Sequence, residues 1–390
     1  MRAAYGEKTR NFFANKTNPK ILIDFAGQQV FESATVDVNI LLLEKNENEQ
    51  NTVSCIIKED CKNNMTDYIR QHGNTVSFSA IGQSWVILSD IEKRIKEKIE
   101  KIGKPLKDWD INIYRGILTG CNEAFIIDKN KRDELIKKNE NSAEIIRPIL
   151  RGRDIKRYGY EFAELYLLYI PWHFPLHLDQ TITGVSKLAE KRFKEEYPAV
   201  YNHLLQYKDI LSARNTAETG IRYEWYALQR WGANYWDDFS KQKIIYPDIM
   251  RMPKNFDLLN TYPYFYLDNN GFYAEATNFI LTGNDLETIF SFLVSDIGFY
   301  IFSKYYSGPQ FDATGFRYKK EYINNLHIPV LNQIDRKKLK FHFNQNSSDI
   351  KTIDKIAEEI FIKRIGLENN EIEMIKNYKI SLLSAEKTGI

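Results

Sequence analysis

The stretch SDIEKRIKEKIEKIGKP, residues 89–105, divides the chain and so decides its fold. Ile91, Ile95, Ile99 and Ile102 recur at helical spacing on one face, and charged residues fill the other. Ser89 or Asp90 can cap the start, Gly103 can cap the end, and Pro105 supplies a stop. What precedes this helix reads as part of a sheet. Residues 5–15 predict a helix with Phe12 and Phe13 on its apolar side. ILIDF (residues 21–25) and VDVNILLL (residues 36–43) predict strands buried on both faces, as in an α/β sheet. Val53–Lys58 and Thr75–Phe78 read as added edge strands. No βαβ run precedes them to supply the rest of such a sheet, so the chain reads as if it began in mid-domain.

After the helix, short strands and turns take over, as in INIYRGILTG, EAFIID, LYLLYIP, KIIYPDIM and YFYLD, with helical stretches at 185–208 and 285–303. From residue 335 the sequence is charged and helical, and Ile353, Ile356, Ile360 and Phe361 fall on one side of its clearest helix. The expected class is α+β. A partial α/β-type sheet spans 1–88 and a linking helix 89–105; a mixed domain with small, mostly antiparallel sheets spans 106–334 and a helical tail 335–390.

Composition bounds the rest. A length of 390 residues fits two or three domains. With 43% apolar and 27% charged residues, and only 19 Gly and 11 Pro, the chain is globular rather than disordered or collagen-like. No apolar run approaches the ~18 residues of a membrane helix. The N-terminus lacks the apolar stretch of a signal peptide. Cys55, Cys61 and Cys121 make neither a disulfide framework nor a CxxC pair. The expected setting is cytoplasmic, with no membrane partner. Net charge is only +2, from 54 basic and 52 acidic residues, which is low for a protein that lives on phosphate contacts alone. Aromatics reach 14%, with 24 Tyr and 23 Phe, more than a core needs; such surfaces suit interfaces and base stacking.

Catalytic signatures are missing. Of the six histidines only His173 and His177 lie close, and Pro175 between them prevents a helical pair of ligands. The sequence contains no GxSxG, no GxxxxGK[ST] and no GxGxxG. Pro247-Asp248 lacks the carboxylate–x–lysine that a nuclease would place after it. No catalytic residue and no metal site are expected.

Four segments do carry chemistry. In YRGILTGCNEAF (residues 114–125) two glycines, Thr119 and Asn122 can offer small polar groups to an anion or base edge, or simply close a hairpin. In RPILRGRDIKRY (residues 147–158) five cations fall close together, suited to phosphate and guanine or to a solvated turn. Residues 222–254 interleave Trp225, Trp231 and Trp236 with Arg222, Arg230, Lys241 and Arg251, as a nucleic-acid groove does and as a core with a basic rim also does. Last, Gly308-Pro309 in YYSGPQFDATGFR predicts a stiff exposed loop, either a wedge for the space of a displaced base or a plain connection.

Taken in order, these segments resemble the C-terminal part of an N6-adenine DNA methyltransferase of the TaqI/Eco57I type, as found alone or fused to a nuclease in type II (IIG) restriction–modification enzymes. The resemblance runs from YGEKTRNFFANKTNPKILIDFAGQQVFESATVDVNILLLEK through YRGILTGCNEAFIID, RPILRGRDIKRYG, KIIYPDI, GFYAEATNFILTG and YSGPQFDATGFRYKKEYINNLHIPV to IDKIAEEIFIKRIGLENNEIEMIK. It implies that residues 1–88 are the end of a methyltransferase domain and 106–334 a TaqI-like target-recognition domain. The family's FxGxG-like turn for S-adenosylmethionine and its NPPY are absent, so the chain is expected to be inactive alone. S-adenosylmethionine would serve only the complete enzyme. The implied partners are double-stranded DNA and a catalytic methylase or nuclease portion on the same or another chain. The resemblance further implies that Phe31 stacks on a flipped adenine, unless it caps the sheet. Arg115, Thr119, Asn122, Arg151, Arg153, Lys156, Arg157 and Arg251 would face the duplex, and Gly308, Pro309 and Gln310 would fill the vacated space. Two rival readings stand beside it. A specificity subunit of a type I-like system would show two repeated recognition domains and long spacer helices, and a protein-interaction scaffold would bind no duplex.

Overall fold

The computed structural model describes residues 6–25, 30–31, 38–57, 64–78, 85, 87–219, 222–308, 314–345 and 350–388. The fold is mixed α+β, 47% helical and 22% strand, with several small and mostly antiparallel sheets and a helical C-terminal tail. The chain forms two compact units whose segments interleave. The first comprises 1–109, 249–263 and 287–390; the second comprises 110–248 and 264–286.

The first unit opens with α1 (Glu7–Lys16) and a four-stranded sheet of β1 (Asn18–Asp24), β2 (Asn39–Glu44), β3 (Thr52–Ile56) and, after α2 (Met65–His72), β4 (Asn74–Val76). The strand order is β2-β1-β3-β4. β1 pairs parallel with β3 and antiparallel with β2. β3 is therefore interior and not an edge strand. β2 is an edge, and it leaves Ile40 and Leu42 44% and 52% exposed where burial on both faces was expected. In α1, Phe13 packs with Trp85 beneath the sheet, whereas Phe12 points to solvent. α3 (Asp90–Ile102) starts with a capping box between Ser89 and Glu92 and buries Ile95 and Ile99 completely. It continues into β5 (Gly103–Pro105).

The second unit runs β6 (Ile111–Arg115), α4 (Asn122–Phe125), β7 (Ile126–Asp128), α5 (Lys129–Lys138), β8 (Ile146–Leu150), β9 (Leu165–Leu168), α6 (Lys187–Glu196), α7 (Pro198–Leu205), α8 (Lys208–Thr219) and β10 (Lys243–Pro247). The chain then lends β11 (Ile249–Arg251) to the first unit and returns with β12 (Tyr266–Asp268), β13 (Tyr273–Ala274) and β14 (Asn278–Gly283). Two four-stranded sheets result, β12-β10-β14-β6 and β13-β8-β9-β7. One apolar core, including Phe125, Ile149, Leu167, Phe193, Tyr226 and Phe239, lies within this unit.

The chain closes in the first unit with α9 (Leu286–Val294), α10 (Asp296–Ile301), β15 (Gly315–Arg317), α11 (Lys320–Ile323), β16 (His327–Pro329), α12 (Gln333–Gln345), α13 (Ile350–Ile365) and α14 (Asn369–Thr388). β11 pairs with β15, and β16 with β5. α13 buries Ile353, Ile360 and Phe361, as its periodicity predicts, and leaves Ile356 half-buried. Among the described residues no single helix is long and apolar enough to cross a membrane.

Candidate nucleic-acid interface

Two of the four chemically suggestive segments meet in the second unit, joined by a third that composition did not mark. Backbone bonds stitch them. Gly116 N donates to Asn278 O (2.9 Å), Ile117 N to Ala274 O (2.7 Å) and Glu275 N to Leu150 O (3.1 Å). The approach is close because residue 116 is glycine: a Cβ there would stand 2.1 Å from Glu275 O. The result is an open groove of about 560 Å³ lined by Asn122, Glu123, Ile126, Arg151, Gly152, Arg153, Leu165, Glu275 and Thr277.

The loop from β6 to α4 is held from behind. Gly120 adopts φ +76°, and Arg214 of α8 donates to the carbonyls of Thr119 and, at 2.7 Å, Ala227. β6 and β7 belong to different sheets, so this segment is not a hairpin. Thr119 is 2% exposed and does not reach the groove. Its hydroxyl donates to Asn122 Oδ1 (2.6 Å) and accepts from Cys121 N (3.2 Å). Asn122 is exposed and its amide donates to Glu275 Oε1 at 2.9 Å. Burial pushes the Cys121 thiol up, away from a reactive thiolate.

On the other wall Arg151 grips Asp154 through Nε (2.9 Å) and Nη2 (2.8 Å), while its backbone N donates to the same carboxylate. That carboxylate holds the guanidinium above its ordinary value. Arg151 is thus already neutralised. Arg153 is exposed, and its guanidinium has no hydrogen-bond or ion-pair partner among the described residues. Arg115 is exposed and donates from Nε to Ala276 O at 2.7 Å. Lys156 pairs with Glu161 at 3.1 Å, and Arg157 lies over the Tyr158 ring at 5.4 Å.

The remaining expectations fare differently. Trp225 and Trp231 pack against the core and Trp236 is 46% exposed. Lys241 is engaged by Asp237 and Asp238, both at 2.7 Å. Within the second unit, residues 222–248 therefore contribute to a packed core, with Arg222 and Arg230 exposed at a basic rim. Arg251 is exposed on β11, in the first unit. Gly308 is buried against the ring of Tyr322, not held out on an exposed loop. Pro309 and Gln310 lie outside the described residues. Phe31 is 53% exposed. Among the described residues no group of His, Cys, Asp and Glu is arranged to hold a metal ion. Two contributors escaped the sequence reading. Glu275 sits in an unremarkable AEATN run, and Arg214 acts on a loop 95 residues away.

No family model matches the chain. It is 24% identical over 283 residues to the type II methyltransferase M.MjaIV of Methanocaldococcus jannaschii, covering 70% of this chain and 85% of that protein. This chain is related to restriction–modification methyltransferases. Among solved structures it is similar to the type IIG restriction endonuclease BpuSI, with a TM-score of 0.42, 12% identity and coverage of 98% of this chain and 45% of the other. It is also similar to the type IIL restriction–modification enzyme MmeI in complex with DNA, with a TM-score of 0.47, 12% identity and coverage of 96% and 46%. The chain spans under half the length of each of these two enzymes.

Proposed function

We propose that the chain recognises duplex DNA for a restriction–modification methyltransferase, with the groove of the second unit as its reading surface. The observation that carries this is the meeting of Asn122, Arg153, Glu275 and Thr277 around one open groove, with Arg115 on the adjoining strand. An unengaged guanidinium beside fixed amide, carboxylate and hydroxyl groups combines phosphate positioning with base-edge contacts. The relation to a type II methyltransferase supplies the biological setting. Phe31, exposed in the first unit, is proposed to stack on an extruded base.

S-adenosylmethionine does not fit the groove, which is open and charged and has only Ile126 and Leu165 as apolar lining. No residue of this chain is assigned to the methyl donor, and methyl transfer is proposed to belong to a catalytic portion carrying its own glycine turn and NPPY. The test is fluorescence anisotropy with labelled duplexes at low salt, followed by NaCl titration. Binding that weakens steeply as salt rises is expected. No binding to any duplex would favour a protein-interaction scaffold instead.

A further inference from the structure

We infer that Glu275 and Asn122 form a base-reading pair that selects the major-groove edge of adenine, an inference that rests on the DNA reading above. A carboxylate lining a groove for a polyanion is a liability, because an ionised carboxylate only accepts hydrogen bonds and repels phosphate. It is tolerated where the ligand donates to it. On the major-groove edges of DNA only the amino groups of adenine and cytosine donate.

The relay behind Glu275 has a single polarity. Cys121 N donates to Thr119 Oγ1 at 3.2 Å, so the Thr119 hydroxyl proton is directed to Asn122 Oδ1 at 2.6 Å. The Asn122 amide is thereby oriented with its nitrogen toward Glu275 Oε1 at 2.9 Å. One amide N–H of Asn122 remains, beside the free lone pairs of Glu275, whose Oε2 lies 3.5 Å from the Thr277 hydroxyl. A donor next to an acceptor complements adenine, whose N7 accepts while its N6 amino group donates. Cytosine satisfies Glu275 alone. Guanine and thymine set lone pairs against the carboxylate. Arg115 and Arg153 take the phosphates, and buried Thr119 is a positioning residue.

The experiment starts by selecting bound duplexes from a random-sequence pool with the full chain. One position is expected to prefer adenine. Replacing that adenine by purine, which lacks the N6 amino group, or by 7-deazaadenine, which lacks N7, should weaken wild-type binding about ten- to a hundredfold. Glu275→Ala should bind purine and adenine duplexes alike, and Asn122→Ala should bind 7-deazaadenine and adenine duplexes alike. Both should keep the wild-type salt dependence. Thr119→Val should blunt both discriminations without changing affinity for unrelated duplex. A selection with no adenine-preferring position, or full wild-type discrimination in Glu275→Ala, overturns the inference while leaving DNA binding intact. Failure to bind any duplex sinks the DNA reading and this inference together. The base analogues interrogate the unaltered protein, so a variant that misfolds does not blunt the test.

Discussion

Arg151 and Arg153 stand two positions apart in RPILRGRD, and the local backbone sends them to different partners. The single 3-10 turn Gly152–Asp154 folds Asp154 back onto Arg151, so of the two guanidiniums at the groove one is spent on an internal carboxylate while the other is not. Composition revealed the cations but not their partners, because pairing depends on a turn that the sequence leaves ambiguous. The same limit applies to Thr119 and Glu275. Their residue types were visible or unremarkable, and burial decided which of them lines the groove. Arg151→Ala is expected to cost about 1–3 kcal/mol, because it strips two bonds from a carboxylate only 6% exposed. Thermal melting checks this, and an unchanged melting temperature would contradict the assigned role.

Among elements, those specified by local periodicity were legible. The capping box and isoleucine spacing announce α3, and α13 buries the side its pattern marks. Elements decided by neighbours were not. The leucines of β2 read as doubly buried, yet β2 is an edge with one open face, and β3, read as an edge, lies between two partners. β10 and β12 show a further invisible feature. Lys243 and Asp268 face each other across the two strands, both fully buried. Lys243 also donates to Phe239 O at 2.6 Å, and Asp268 accepts from the backbone N of Asn270 and of Phe272. Burial holds the Lys243 ammonium below the ordinary lysine range. Asp268→Asn leaves that ammonium uncompensated, and should cost about 3–5 kcal/mol in chemical denaturation. A loss under about 1 kcal/mol would show that the pair is not what holds these strands.

For the whole molecule, the sequence order hides the interleaving. Residues 249–263 leave the second unit to pair in the first, an excursion with no compositional mark. Titration is a property of the whole chain. Burial pushes His177, His203 and His327 below the ordinary histidine value of about 6.5. For His203 the hydrogen bond from Nε2–H to Ala124 O at 3.0 Å pulls the other way, and burial outweighs it. Below about pH 6.5 the unfolded chain therefore binds more protons at these sites than the folded one, and stability falls as pH drops through that window. Hydrogen-bonded carboxylates are held low instead: Glu134, at about 2, by Lys131 and Lys138, Asp237 by Lys241, and Asp179 by the hydroxyl and backbone N–H of Thr181. Their contribution is present above about pH 4 and is lost only as pH falls further. The melting temperature should therefore decline between about pH 7 and pH 5.5, before any acid unfolding by carboxylates. A flat profile there would show that these histidines protonate freely in the folded state.

The groove of the second unit is proposed to grip duplex DNA through Arg115 and Arg153. The direct measurement is the slope of log K against log salt for the wild type and for the Arg115→Ala, Arg153→Ala double variant. Removing two phosphate contacts should flatten the slope by about two units while melting stays close to wild type. An identical slope in both proteins would place the duplex elsewhere than in this groove.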